Sequence, residues 1–189
     1  HEFIGRTAEL EACANVGDGI VIESVPGAGT SEFLKQIFDR TFRFDAVLPF
    51  YFRFREDEDT AATARRFVHE FLITTIAFTR RDRNIFLSSP GVAEIAELAL
   101  PADGNWIDRL ADVYLRGEFD TADTVRTFLN APLRAFAAGR EVLVVLDDMH
   151  LSPEAAREIC RQYEGSGIRF IFAARRRFEN PADTSGRTP

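Results

Sequence analysis

The chain has 189 residues, enough for one domain with a sizeable core, and its 46% apolar content excludes a disordered composition. A formal net charge of −7 and a pI of about 5.1 argue against bulk attraction to nucleic acid or anionic membrane. No apolar run approaches the ~18 residues of a membrane-spanning helix, and no signal-peptide pattern opens the chain.

The chain begins at His1, so a native N-terminus is expected to be missing. Cys13 and Cys160 are far apart and form no CxxC or zinc spacing. They fit a reduced, cytoplasmic protein in which each is a small buried hydrophobe. There is no internal repeat and no low-complexity tract. Of 23 basic side chains only Lys35 is a lysine.

Residues 7–14 read as a short helix. "GIVIE", 19–23, is a β-branched run bounded by glycine, the pattern of a buried strand. "SVPGAGTS", 24–31, is a Gly-rich turn leading into a helix from Thr30 to about Phe42, with Phe33, Leu34, Ile37 and Phe38 on one face. In "AVLPFYFRFR", 46–55, Phe50, Phe52 and Phe54 alternate with Tyr51, Arg53 and Arg55. That period of two predicts a strand with one dry and one polar face, as at the edge of a sheet. A long helix follows, about 59–79, with Phe67, Val68, Phe71, Leu72 and Ile76 as its apolar stripe.

Residues 80–90 form a polar, Arg-rich connection. Helical segments follow near 91–100, 105–117 and 121–138, with Pro132 breaking or kinking the last. "EVLVVLDD", 141–148, is almost continuously apolar, as a central parallel strand covered on both faces would be. Ser152 as N-cap and Pro153 as first helical residue open a helix to about Tyr163. "GIRFIFAARRR", 167–177, is a fourth strand. Residues 1–178 are expected to form one domain and 179–189 an irregular tail. Strands alternating with helices predict an α/β fold with a parallel sheet, whose ligands bind at the carboxyl ends of its strands. Three features stand at such ends: the Gly loop, the pair Asp147 and Asp148, and Arg175.

A phosphate-binding loop uses glycines to curl its backbone so that successive N–H groups point at phosphate oxygens, and the following helix adds its positive end. A lysine then touches the outer phosphates, and a Ser or Thr beside it coordinates magnesium. Here Gly27, Gly29 and Ser31 are present, but Ser24 replaces the first glycine and Thr30 the lysine. Alone, this stretch is a weak signal, and a generic Gly turn is the plain alternative. An apolar strand ending in two carboxylates is the second half of a magnesium-nucleotide site: one acid holds the metal, the other orients or deprotonates water. Its alternative is two solvated acids capping the next helix.

With both patterns in order, the chain resembles the STAND branch of AAA+-related P-loop ATPases, which includes signalling ATPases and large ATP-dependent transcription regulators. It is also similar to origin-recognition-type AAA+ proteins. "EFIGRTAEL", 2–10, looks like the FxGRxxEL opening; "VVLDDMHL", 144–151, like the Walker B pattern; and "FIFAAR", 170–175, like the strand ending in the sensor-1 arginine. The resemblance covers about residues 2–178. It implies a three-layer P-loop NTPase fold with sheet order 5-1-4-3-2. Strand five and the helical lid are absent here, so it implies order 1-4-3-2 in a C-terminally truncated piece of a longer protein, with strand one at an edge.

Carried over by position, Pro26, Gly27, Ala28, Gly29, Thr30 and Ser31 would cradle phosphates, and Phe3, Ile4, Gly5 and Arg6 would lie near the adenine. Ser31 and Asp147 would hold magnesium, Asp148 would act on water, and Arg175 would sense the γ-phosphate.

The missing lysine removes a charge-assisted contact worth roughly 1.5–3 kcal/mol, weakening binding roughly 10- to 100-fold. Hydrolysis loses about 10²–10³ more, as when one preorganised donor is removed. The expected function is a STAND-like regulatory domain that binds ATP or ADP with magnesium weakly and hydrolyses it little or not at all. It would act as a switch or scaffold beside the other domains of a longer chain. One alternative is an interaction scaffold that binds no nucleotide. Another is an active ATPase using a displaced cation (Lys35, Arg53, Arg55, Arg175 and Arg176 are the candidates) or a partner's arginine through self-association. Direct nucleic-acid binding ranks last. His150 reads as a structural loop residue, and His69 has no partner legible in the sequence.

Overall fold

The computed structural model describes residues 19–24, 28–44 and 46–175. Among these residues four strands, β1 (Ile20–Ser24), β2 (Leu48–Arg53), β3 (Val142–Asp147) and β4 (Arg169–Arg175), form one sheet. All neighbours are parallel, and the order is β1-β4-β3-β2. This is the order expected, with β1 and β2 at the two edges. β2 tolerates Pro49, which has no N–H to give to a further neighbour. β3 is buried at every position, as its unbroken apolar run requires of a central strand.

Helix α1 (Thr30–Phe44) follows β1. Helices α2 (Thr60–Thr79), α3 (Asn84–Ser88), α4 (Val92–Leu98), α5 (Pro101–Arg116), α6 (Ala122–Leu129) and α7 (Ala131–Ala137) lie between β2 and β3. A 3-10 turn (Met149–Leu151) and α8 (Pro153–Tyr163) join β3 to β4. The polar, Arg-rich connection over 80–90 holds α3, because Ile85 is buried and Phe86 packs on the core beside it. The helix expected over 121–138 is divided at Asn130, with Pro132 in the first turn of α7, where its missing N–H costs nothing. Among the described residues no helix is long and apolar enough to cross a membrane.

Two cores hold the sheet. The smaller packs Phe33, Leu34 and Ile37 of α1 on Leu143, Val145, Ile171 and Ala173. The larger fills the opposite face around α2. In β2 the alternation has the expected result: Phe50, Phe52 and Phe54 are buried in the larger core, while Tyr51 is half-buried and Arg53 and Arg55 are exposed. Phe50 meets Phe67 and Phe71 edge-on at 4.9 and 5.1 Å between ring centres, a favourable geometry for opposed ring quadrupoles. α2 is buried well beyond its predicted stripe. Thr74 and Thr75 are accommodated because their hydroxyls donate to the carbonyls of Glu70 and Phe71 at 2.7 and 2.9 Å. α1 likewise uses two faces: Phe38 turns from the smaller core to meet Phe42 and Phe86.

Candidate functional site

Because the strands are parallel, their carboxyl ends share one edge of the molecule. Ser24 pairs in register with Arg175, and Arg53 with Asp147. The connection from β1 to α1 therefore opens on the edge where the acid pair ends β3. Only β4 separates β1 from β3, a gap of two strand spacings or about 10 Å. Gly29 takes a left-handed φ of 70°, and its carbonyl accepts the Phe33 N–H at 3.0 Å, which starts α1. Thr30 and Ser31 are half-buried in the first turn, and Ala28 is exposed. Arg175 is the last residue of β4, between the loop strand and the acid strand. Phe3, Ile4, Gly5, Arg6, Pro26 and Gly27 lie outside the described residues, as do Arg176, Cys13 and the helix expected over 7–14.

Alternation along β3 decides where the first acid points. Val142, Val144 and Leu146 enter the larger core, whereas Leu143 and Val145 enter the smaller one beneath α1. Asp147 shares the parity of Leu143 and Val145, so its carboxylate faces the α1 layer. It is 2% exposed. Its hydrogen-bond partner is the hydroxyl of Tyr51, which donates to Oδ2 at 2.8 Å, and among the residues whose side chains are described, which leave out Arg175, no cation pairs with it. Burial, and then the bond to this carboxylate, push the Tyr51 hydroxyl well above the ordinary phenol range, so it stays a donor.

The second acid leaves the strand. Asp148 adopts left-handed backbone, φ 56° and ψ 35°, and its carboxylate accepts from Nε of Arg53 at 2.8 Å. The side chain of Arg53 is 59% exposed and that of Asp148 17%. Asp148 precedes the 3-10 turn but makes no side-chain capping bond to it. Ser152 stands at the N-cap of α8, as expected, yet its hydroxyl makes no capping bond. The pair is thus held by the neighbouring strand and not by a helix end, which removes the capping alternative for Asp148.

Tyr51 and Arg53 carry the contacts that sequence reasoning missed. Arg53, a candidate displaced cation in the sequence, is committed to Asp148. Arg55 pairs with Glu58 at 3.3 Å, and Lys35 is exposed on α1. A cleft of about 450 Å³ opens beside the acids, lined by Tyr51, Arg53, Phe54, Arg66 and Glu70 among others. Its most buried cation, Arg66, is already bound by Glu58 and Glu70 and lies 4.2 Å over the Phe52 ring. His69, which had no legible partner, donates from Nε2 to the Pro90 carbonyl at 3.0 Å. His150 lies in the 3-10 turn. Among the described residues no group of three or more His, Cys, Asp or Glu side chains gathers to hold a metal. A cation here would rest on Asp147 with hydroxyl, water and phosphate oxygens, a donor set that suits magnesium.

In comparisons with protein-family models, curated proteins and solved structures, the chain returns no significant match.

Proposed function

We propose that this chain is a STAND-like regulatory P-loop NTPase domain that binds adenine nucleotide with magnesium weakly and hydrolyses it little or not at all. In this reading it serves as a switch or scaffold within a larger signalling or transcription-regulating protein. The observation that carries the reading is Asp147. A carboxylate that is 2% exposed and has only a neutral hydroxyl as its hydrogen-bond partner among the described side chains is costly to bury. It stands at the carboxyl end of the central parallel strand, on the face of the helix that follows the Gly loop. A divalent cation held there would offset that cost.

Within this proposal, Ser31 and Asp147 would hold magnesium, and backbone N–H groups of the loop, including Gly29, would donate to phosphate oxygens at the start of α1. Magnesium, when bound, neutralises phosphate charge. Thr30 supplies a hydroxyl where the resembling family has a lysine, so affinity falls. Asp148 is the group that would act on water, and its ion pair with Arg53 draws it away from that task, in keeping with poor turnover. Calorimetric titration of Mg·ATP is expected to give weak binding that Asp147→Asn abolishes. Absence of heat at millimolar ligand overturns the proposal.

A second reading, a scaffold without nucleotide, is favoured by the bonds of both acids to β2, which satisfy them inside the chain. It predicts that Asp147→Asn leaves the titration, silent in the parent chain, silent still.

A further inference from the structure

We infer that Tyr51 is a positioning residue for Asp147, setting the affinity of the site for a divalent cation without touching nucleotide; the inference rests on the nucleotide-binding proposal above. Three observations meet in this one side chain. Its hydroxyl donates to Asp147 Oδ2 at 2.8 Å. Its ring packs against the smaller core, which contains Phe33 and Leu34 from the first turns of α1. Two residues along the same polar face of β2, the charged donor Arg53 goes to Asp148 instead.

The distribution of donors is the point. A guanidinium on Asp147 would cancel its charge and compete with any metal. A phenol fixes the rotamer of the carboxylate, occupies one lone pair of Oδ2 and leaves the negative charge in place. Hydrogen-bonded partners of metal-ligating groups act in this way, and their removal typically weakens metal binding about 10- to 100-fold. The ring packs on the core that α1 shares with β3 and β4, which seats the bonded carboxylate against the layer of the loop helix.

The test uses manganese(II) as the probe, with the whole chain and its Tyr51→Phe variant. The variant keeps the ring and its packing and loses only the hydroxyl. Manganese affinity is measured by electron paramagnetic resonance in the presence of ADP, and ADP affinity separately in excess chelator. The expected result is roughly a tenfold loss of manganese affinity with metal-free ADP binding unchanged. Equal manganese affinity in both proteins overturns the inference and leaves the nucleotide proposal standing. An equal loss in both assays also overturns it, since a general disturbance of the fold would do that. A parent chain that binds neither probe overturns the nucleotide proposal and the inference together.

Discussion

Two ion pairs show how unequally charge contributes here. Arg53 is largely in water, so Arg53→Gln is expected to change the unfolding free energy by less than about 1 kcal/mol in urea titrations, because solvent screens the exposed partner. Asp103 is 1% exposed, is gripped by Arg140 through both carboxylate oxygens, and accepts the Trp106 ring N–H at 3.2 Å. Asp103→Ala leaves a guanidinium and an indole N–H without their partner. It is expected to cost about 3 kcal/mol, read as a lower urea midpoint at unchanged slope. The sequence displayed the acids of the candidate site plainly, since two carboxylates after an apolar run are a local pattern. It could not display their partners. Tyr51 and Asp147 are 96 positions apart, and their meeting depends on β2 and β3 being neighbours in a particular register. Nor does anything in "DD" say which aspartate ends the strand and which turns left-handed.

Helix α2 is where element and core are most closely bound together. Asp59 caps it, its carboxylate accepting the Ala62 N–H at 2.7 Å, so Asp59→Ala is expected to cost about 1 kcal/mol by thermal or urea unfolding. Phe71 is fully buried among Phe50 and Trp106, and Phe71→Ala is expected to cost about 3–5 kcal/mol through lost transfer energy and the cavity left behind. The position of this helix was legible to within a residue because its apolar spacing is regular and an acid precedes it. Its depth of burial was not, because a stripe records one contact face whereas α2 packs against β2, α3, α4 and α6. The threonines that look polar in sequence satisfy themselves against their own backbone. The sheet order was legible only through family resemblance; alternation in β2 by itself said edge, and the structure agrees. The short α3 was hidden by the arginines around Ile85.

Over the whole molecule, stability at alkaline pH follows from hydroxyls and a thiol kept neutral by burial. Burial first, then the charge of Glu164, pushes the Cys160 thiol from an ordinary value of 9.0 up to about 11. Below the lower value both folded and unfolded chains hold the proton, and the group has no effect. Between them the unfolded chain releases it while the folded chain cannot, so stability falls as pH rises, by an amount on the order of 2 kcal/mol. Tyr163, whose buried hydroxyl donates to the Leu129 carbonyl, and Tyr51 are also raised, and they steepen the decline from about pH 10. Urea midpoints across this range are expected to drop, and Cys160→Ala to flatten only the first part. The division into two cores has a further consequence, for time and not for energy alone. α1 is anchored mainly by the smaller core, and α2 lies within the larger. Segments that bury less open by themselves, without waiting for the entire chain to unfold. Backbone amides of α1 are expected to exchange with deuterium sooner than those of α2 in native-state hydrogen exchange, and equal protection factors would contradict this. The loop helix then opens from a strand that the larger core still holds on its other face, and a ligand held at the start of α1 would be registered first as slower exchange in that helix.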